Sequence, residues 1–451
     1  MEFPEDFVWG VASSAYQIEG AAAEDGRTPS VWDTASARPG FIADGQTGEV
    51  ACDSYHRVGE DADLIAGLGV SASRFSISWN RVLPDGTAGR VNEAGLEYYD
   101  RVVDALLARG VTPWVTLFHW DYPQVLQDLG GWLHADSPRW FADFVEVVVG
   151  RLGDRVKHWM TLNEPQCFVG FGHVKGEHAP GLRLPRREAL LVLHRALLGH
   201  GFAVRVLKAH GDGHRVGWAP VGVTAYPETE SPEDIEAARR FMFERSGEDW
   251  TFGNALYADP VVFGRYPGPD YGDVISDLPE PGPGDLETIS TPIDFYGVNI
   301  YTGTCVRAGD GGEPIVVPPG PGHPRTAMDW PVTPPALYWG TRLLVERYGL
   351  PVYITENGCA TTDWVGLDGS VRDPGRVDYL DRHLREVARA IRDGVDVRGY
   401  FQWSILDNFE WAFGYTRRFG LVHVDFERGT RTPKDSYRWY RGVIASGRVG
   451  G

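Results

Sequence analysis

The sequence predicts a single α/β domain over residues 1–451, a closed (β/α)8 TIM barrel whose long βα loops form an active-site pocket. Two observations predict this fold. Eight short apolar runs have the length of buried strands, and amphipathic segments of helical length separate many of them. A bare barrel needs only about 250 residues, so we expect the surplus in long loops at the C-terminal ends of the strands.

The predicted strands are short apolar runs, and most have polar residues directly after them. In chain order they are Phe7–Ser13, Ala72–Trp79, Pro113–Phe118, His158–Leu162, Val216–Val221, Phe295–Ile300, Val352–Thr355 and Gly399–Trp403. The amphipathic segments predicted as helices include Gly95–Ala108, Pro138–Leu152, Arg187–Ala209, Pro335–Tyr348 and Arg376–Asp393. Alternating strands and helices predict a parallel sheet with helices outside it, and eight strands favour closure into a barrel.

Two segments rich in Pro and Gly interrupt this alternation, Pro279–Gly284 and Gly309–Pro324. We predict that they are loops of the barrel and not linkers between domains. No internal repeat occurs beyond the alternation of strands and helices. The whole chain is therefore predicted to be one catalytic domain.

The chain is acidic, with 62 Asp and Glu against 43 Lys and Arg and a formal net charge of −19. A surface of this sign repels phosphate backbones and anionic lipids, so nucleic-acid and membrane partners are disfavoured. Much of the charge has a simpler explanation, because a net charge far from zero keeps a protein in solution.

The four cysteines are too few and too scattered for a disulfide framework or a CxxC metal site, and they suit a reducing compartment. The first ten residues contain neither a basic segment nor an apolar run, so no secretory signal is expected. No run of 18 apolar residues occurs, so no transmembrane helix is expected. The predicted location is the cytoplasm.

Two glutamates follow predicted strands, Glu164 after the fourth and Glu356 after the seventh. The C-terminal ends of all strands of a barrel meet at one mouth, so both side chains are expected in the same pocket. Paired carboxyls can cleave a glycosidic bond, one as a protonated acid and the other as an ionised nucleophile. A separation of about 5–5.5 Å gives retention of configuration and one of about 6.5–9.5 Å gives inversion, and the residues alone leave both open.

Arg74 lies within the apolar second strand, where a charged side chain needs a partner. One interpretation is a structural ion pair at the end of the barrel. The other places the guanidinium beside Glu356, where it keeps that carboxylate ionised, with Tyr301 donating a hydrogen bond to the same group.

A ring of polar and aromatic side chains is expected around the two carboxyls. A sugar needs fixed donors and acceptors for its hydroxyls and a flat aromatic face for its C–H surface. His119 could instead be a core histidine with satisfied hydrogen bonds, and many of the 16 Trp could simply fill the core. The residues predicted for the ring are Gln17, His119, Asn163, Trp403, Glu410 and Trp411.

Four motifs match a known family. They are Phe7–Gly20 (FVWGVASSAYQIEG), Thr161–Pro165 (TLNEP), Ile354–Gly358 (ITENG) and Trp403–Trp411 (WSILDNFEW). Through them the sequence closely resembles the family 1 glycoside hydrolases, in particular the bacterial β-glucosidases. The resemblance covers nearly the whole chain, and several motifs in the same order make it specific.

The resemblance implies a role for each matching residue. Glu164 would be the acid/base and Glu356 the nucleophile, with Arg74 and Tyr301 tuning the nucleophile. Asn163 would bind the 2-hydroxyl, and Gln17, His119, Glu410 and Trp411 would hold the 3-, 4- and 6-hydroxyls above a stacking platform formed by Trp403. The further substrate-binding positions are Trp120, Asn299 and Phe419, with Trp330 expected beside the leaving group.

The resemblance also implies a reaction. The chain would hydrolyse terminal non-reducing β-D-glucosyl residues by double displacement with retention, with side activity on β-galactosides or β-fucosides. The partner would be a small β-glucoside or a short β-linked oligosaccharide, and no metal or organic cofactor would be needed. The natural aglycone and a homo-oligomeric state are left open.

Two alternatives accompany this prediction. A 6-phospho-β-glycosidase of the same family needs cationic groups near the 6-position, but the corresponding segment contains the carboxylate Glu410, which repels phosphate. A non-catalytic sugar-binding barrel usually lacks one carboxylate, whereas this sequence keeps both Glu164 and Glu356.

Overall fold

The computed structural model describes residues 1–244 and 250–450 and confirms the predicted barrel of eight parallel strands. The strands are β1 (Val8–Ala12), β2 (Ala72–Ser76), β3 (Thr112–Phe118), β4 (His158–Asn163), β5 (Arg215–Ala219), β6 (Tyr296–Asn299), β7 (Val352–Asn357) and β8 (Val397–Trp403). Each predicted strand is present, and its ends differ from the prediction by at most three residues. The largest change is in β2, which ends at Ser76 because a helical turn, Trp79–Val82, begins soon after it.

The strands are ordered β5-β4-β3-β2-β1-β8-β7-β6. Two backbone hydrogen bonds connect the regions of β5 and β6 at the two edges of this sheet. Asp294 N donates to Val216 O at 2.7 Å, and Asn299 N donates to Pro220 O at 2.9 Å. The sheet is therefore nearly closed into a barrel, and the C-terminal ends of all eight strands face one mouth.

The helices surround the barrel and fill the loops at its mouth. The longer α-helices are Val58–Gly67, Glu93–Leu107, Ser137–Leu152, Arg186–Ala209, Pro232–Phe243, Asn254–Phe263, Pro335–Tyr348, Pro374–Arg392 and Asp435–Ser446. The shorter ones are Ala15–Ile18, Val31–Ser36, Trp79–Val82, Gln124–Asp128, Pro165–Cys167 and Asp285–Ile289, together with a π-helix, Phe168–Lys175. Short 3₁₀ turns lie at Ala43–Gly45, Gly131–Leu133, Trp250–Phe252, Pro269–Tyr271, Asp273–Asp277 and Trp411–Phe413.

The interior of the barrel changes character along its axis. Trp114 forms ring contacts with Phe295, Tyr353 and Phe401, at centroid distances of 5.5, 4.9 and 5.1 Å. These rings make an apolar plug inside the barrel. The inward-facing Arg74 is fully buried among polar groups. The plug thus supports a polar site nearer the mouth.

The loop prediction for Gly309–Pro324 was partly wrong, because this segment contains a short strand, Pro314–Val316. That strand pairs antiparallel with Thr304–Ala308, which pairs in parallel with Ala225–Pro227. The small sheet stands beside the barrel. Two further short strands, Val422–Val424 and Arg431–Pro433, form an antiparallel pair after the last barrel strand.

One helix, Arg186–Ala209, is long and apolar enough by composition alone to cross a membrane. The sequence predicted this segment as an amphipathic helix, Arg187–Ala209, and no membrane-spanning helix was expected from it. Of its most apolar stretch, 67% is buried inside the protein, as in the core helix of a soluble fold. The composition of this helix is therefore explained by its packing inside the protein, mainly against the helices Ser137–Leu152 and Asp285–Ile289.

Candidate active site

A cavity of about 790 Å³ opens at the C-terminal ends of the strands. Most of the residues predicted for the site line it, and they come from loops and strand ends around the whole barrel. The lining residues that the sequence predicted are His119, Trp120, Glu164, Asn299, Tyr301, Trp330, Glu356, Trp403, Glu410, Trp411 and Phe419.

Three predicted site residues, Gln17, Arg74 and Asn163, lie behind the residues that line the cavity and are fully buried. Arg74 and Asn163 contact the two carboxyl groups or their partners. Gln17 Nε2 donates to Glu410 Oε2 at 3.4 Å, and Gln17 Oε1 accepts from Ser14 Oγ at 2.6 Å. In the structure these side chains position lining groups, and the direct contacts of Gln17 and Asn163 with sugar hydroxyls stay a prediction.

Glu356 lies in β7 between a cation and a phenol. Arg74 Nη1 donates to Glu356 Oε1 at 2.6 Å, and Tyr301 Oη donates to Glu356 Oε2 at 2.6 Å. The remaining donors of Arg74 are bonded to Thr116 Oγ1 at 3.0 Å, Asn163 Oδ1 at 2.6 Å and the Thr355 carbonyl at 3.0 Å. The guanidinium therefore lies beside Glu356, where the second interpretation of Arg74 expected it.

Glu164 follows β4 directly and has a different environment. Its backbone φ of 42° lies in the left-handed region, which a glutamate adopts at a cost of about 1–3 kcal/mol. Its amide donates to Ala219 O at 2.9 Å, which holds this conformation. Its carboxyl accepts a hydrogen bond from Asn299 Nδ2 at 2.8 Å and forms no ion pair with any described cation.

Asn299 connects the two carboxyls. Thr355 Oγ1 donates to Asn299 Oδ1 at 2.7 Å and so orients the amide with its nitrogen toward Glu164. A hydrogen bond from the same side chain also lowers the pKa of Glu356. Asn299 Nδ2 also donates to Asn163 Oδ1 at 3.1 Å, and that oxygen accepts a second hydrogen bond from Arg74, the partner of Glu356. A short chain of hydrogen bonds therefore connects the two carboxyls, which line the same cavity.

The two carboxyls differ in how their charge is supported. Burial, and then the charge of Glu356, raise the pKa of Glu164 to about 8. Burial also raises the pKa of Glu356, but Arg74 and the Tyr301 hydroxyl oppose this directly. Glu356 is therefore the member of the pair that ionises first, while Glu164 keeps its proton near neutral pH.

Glu410 is a third carboxyl in the cavity. Burial, followed by the charges of Glu356 and Glu164, raises its pKa to about 8. Its side-chain hydrogen bond comes from Gln17. A protonated Glu410 can donate as well as accept a hydrogen bond, which suits a group that faces a neutral polyol.

His119 and Trp120 hold Asn163 from the other side. Asn163 Nδ2 donates to His119 Nε2 at 3.1 Å, and Trp120 Nε1 donates to Asn163 O at 2.9 Å. Burial lowers the pKa of His119, so its ring is neutral. Its Nδ1 has no hydrogen-bond partner among the described residues, which leaves one buried donor free.

The two carboxyls and the three side chains that hold them form one group at the inner end of the cavity. We call this group, Arg74, Asn163, Glu164, Asn299 and Glu356, the floor of the cavity.

The outer part of the cavity is apolar and was not predicted from the sequence. Four phenylalanines, Phe41, Phe171, Phe252 and Phe413, line it from four different loops, and we call them the rim. Phe171 and Phe252 are in ring contact, with centroids 5.1 Å apart. No motif marks these residues. Phe41 lies in a turn, Phe171 in the π-helix, and Phe252 and Phe413 in 3₁₀ turns, all within loops.

Two further lining residues were also missed. Cys167 lies in the helical turn that begins after Glu164, and a hydrogen bond from its side chain lowers the pKa of Glu164. His178 contacts the rings of Trp32, Trp120 and Phe171. Burial lowers the pKa of His178 to about 3, so it lines the cavity as a neutral ring.

Comparison with known proteins agrees with this geometry. The family model described as glycosyl hydrolase family 1 matches residues 1–448. β-Glucosidase A of Thermotoga maritima is 44% identical over 445 residues, covering 98% of each chain. A bifunctional β-D-glucosidase/β-D-fucosidase of Bifidobacterium breve is 42% identical over 477 residues, covering 99% of this chain and 98% of its own.

Solved structures give the same result. The β-glucosidase of Thermotoga maritima in complex with glucoimidazole superimposes with a TM-score of 0.90 at 43% identity, covering 99% of this chain and 100% of its own. The same enzyme in complex with castanospermine has a TM-score of 0.91 at 43% identity, covering 100% of both chains. With the full-length family match, these similarities show that this chain belongs to glycosyl hydrolase family 1.

Proposed function

We propose that this chain is a retaining β-glucosidase that removes terminal non-reducing β-D-glucosyl residues. The observation that carries the proposal is the unequal environment of two neighbouring carboxyls. Glu356 receives a guanidinium and a phenol, whereas Glu164 receives a neutral amide. Glycosidases that use two carboxyls require this division, with one ionised carboxylate and one protonated acid. Membership of family 1, whose members act with retention, supports the double displacement.

In the first step the Glu356 carboxylate attacks the anomeric carbon and forms a glycosyl ester. The bond between that carbon and the glycosidic oxygen breaks, and the proton of Glu164 passes to the departing oxygen. Arg74 and Tyr301 keep Glu356 ionised and oriented before the attack.

In the second step water replaces the aglycone. Esterified Glu356 no longer carries a charge, so one cause of the raised pKa of Glu164 is gone. Glu164, now a carboxylate, accepts a proton from the water while the water oxygen attacks the anomeric carbon. The ester bond breaks, Glu356 regains its charge, and the sugar leaves with its original β configuration.

The polar and aromatic wall supports a neutral hexose as the glycone. Glu410 and His119 present hydrogen-bonding groups beside the indoles of Trp403 and Trp411. Such a ring tolerates either orientation of a 4-hydroxyl, so we include side activity on β-galactosides and β-fucosides in the proposal. The bifunctional name of the Bifidobacterium breve relative supports the β-fucoside activity.

The test is turnover of nitrophenyl β-glycosides, followed by the anomeric form of the first product. We expect release of β-glucose, seen by proton NMR before mutarotation, and weaker turnover of the β-galactoside and β-fucoside. A 6-phospho-β-glucoside should be a poor substrate, because no Lys or Arg of the described chain lines the cavity to bind its phosphate. α-Glucose as the first product, or binding of glucosides without turnover, would contradict the proposal.

We further propose that the enzyme works in the cytoplasm. The four cysteines, three of them buried, form no disulfide in the described chain. Unpaired thiols suit a reducing compartment. Fractionation of the source cells, with β-glucosidase activity followed in each fraction, tests this location, and activity confined to the medium or the cell envelope would exclude it.

A further inference from the structure

The rim of the cavity has a charge that contrasts with the rest of the molecule. Three of its four phenylalanines have a cation over the ring. Arg38 lies 5.2 Å from the centroid of Phe41, Lys175 lies 5.1 Å from that of Phe171, and Arg417 lies 4.9 Å from that of Phe413. Each pair comes from a different loop around the mouth.

These three cations lack the partners that most others have. Elsewhere, exposed arginines are commonly paired with carboxylates, as Arg382 is with Asp378 and Arg398 with Asp396. Within residues 1–244 and 250–450, no carboxylate oxygen lies within 4.0 Å of Arg38, Lys175 or Arg417. Other cations, such as Arg139 and Arg441, also have no ion pair with a described carboxylate, but these three lie around one opening of a chain with 62 acidic residues.

Their hydrogen bonds leave their charge uncompensated. Arg38 donates to the Pro180 carbonyl, and Arg417 donates weakly to Thr416 at 3.4 Å. Arg417 Nε is buried and has no partner in the described chain. Arg417 also lowers the pKa of Glu410, so its positive potential reaches into the cavity.

The negative groups of the cavity oppose this charge only in part. Burial raises the pKa of Glu164 and of Glu410 to about 8, so both carry protons near neutral pH. Glu356 is paired with Arg74. The exposed Glu177 also lines the cavity and can offset one of the three rim cations at most.

We propose that the preferred aglycone is an aromatic group with an anionic substituent at its distal end. The proposal deepens the proposed β-glucosidase function and rests on it. With the glucosyl unit at the floor, the aromatic part of the aglycone packs against the rim phenylalanines. Its far end then emerges beside Arg38, Lys175 and Arg417, which are exposed or half-buried just outside the lining.

The test compares two aryl β-glucosides of equal size, 4-(carboxymethyl)phenyl β-glucoside and its primary amide. The methylene group insulates the glycosidic oxygen from the charge, so the two leaving groups are nearly equal. At low ionic strength we expect kcat/KM for the carboxylate to exceed that for the amide about three- to tenfold. At about 1 M salt, where screening acts over about 3 Å, the ratio should fall to about one.

The triple variant Arg38→Gln, Lys175→Gln, Arg417→Gln should reduce the ratio at low salt to about one. The matched control Arg382→Gln, Arg398→Gln, Arg438→Gln removes three surface cations that are already paired and should keep the wild-type ratio. A wild-type ratio below about three, or a ratio that survives in the rim variant, overturns the inference. Hydrolysis of the amide itself tests the proposed function separately, because it involves no anion.

Discussion

The floor and the rim of the cavity are built in different ways. The floor residues lie in barrel strands or directly after them, and each is held by hydrogen bonds to its neighbours. The rim residues lie in turns and short helices of four loops and contact mainly rings and cations. Under the proposed mechanism the barrel fixes the reaction, whereas the choice of aglycone would depend on loops that can change without disturbing the reaction.

The largest effect is expected at the nucleophile. Glu356→Ala should lower kcat for nitrophenyl β-glucoside by roughly 10⁵- to 10⁶-fold, because no covalent intermediate can form. Added azide should restore turnover by entering the space left by the carboxylate, with α-glucosyl azide as the product. The exposed Glu427→Ala is a matched control that should keep wild-type activity. Near-normal turnover by Glu356→Ala would show that Glu356 is not the nucleophile and that the floor does not carry the reaction.

The acid/base should show a smaller loss that depends on the substrate. Glu164→Ala should slow substrates with poor leaving groups by about 10²- to 10⁴-fold, since these need the proton. The first step for dinitrophenyl β-glucoside should change little, and azide should now give the β-glucosyl azide. An equal loss of kcat/KM across a series of leaving groups would show that Glu164 is not the acid.

The pH dependence tests the tuning of the floor. Activity requires protonated Glu164 and ionised Glu356, so kcat/KM should fall as pH rises through about 8, the pKa of Glu164, and as pH falls through the pKa of Glu356. Tyr301→Phe removes a hydrogen bond that lowers the pKa of Glu356, so the acidic limb should move to higher pH.

We expect about a tenfold loss of kcat at the optimum for Tyr301→Phe, the size of one hydrogen bond to a charged group. Tyr226→Phe, which lies outside the cavity in the small sheet, should leave both limbs in place. An acidic limb that stays in place in Tyr301→Phe would show that the phenol does not stabilise the ionised nucleophile.

The smallest effect is expected at the rim. Phe252→Ala should raise KM for an aryl β-glucoside about three- to tenfold, the value of one aromatic contact, and should leave KM for methyl β-glucoside unchanged. Phe263→Ala removes an exposed phenylalanine outside the cavity and serves as the control. Equal losses on both substrates would mean that the rim contributes to the reaction and not only to aglycone binding.

The sequence predicted the barrel and most of the floor because both depend on local patterns. Apolar runs mark the strands, and polar residues directly after them must meet at the mouth of a parallel barrel. Arg74 was found because a charge inside an apolar strand needs a partner. Gln17 was predicted to bind the sugar; in the structure Asn408 and Ser14 bind its amide and it donates to Glu410, so its direct contact with a hydroxyl stays a prediction.

The rim could not be predicted from the sequence, although the cations beside it have a regular sequence spacing from the phenylalanines. Arg38, Lys175 and Arg417 each lie three or four residues from the phenylalanine that they cover, the spacing of neighbours on a helix. That spacing is common along any chain. Only the folded loops show that three such pairs surround one opening, and loop conformation depends on long-range packing that no local pattern records.

The central claim is that Glu356 forms the covalent bond to the sugar while Glu164 transfers the proton. Incubation with 2,4-dinitrophenyl 2-deoxy-2-fluoro-β-glucoside tests it most directly, because the fluorine slows release of the intermediate, and peptide mass spectrometry then locates the sugar. The account predicts one fluoroglucosyl ester per chain, on the peptide that contains Glu356. A label on Glu164, or inactivation without any covalent label, would contradict it.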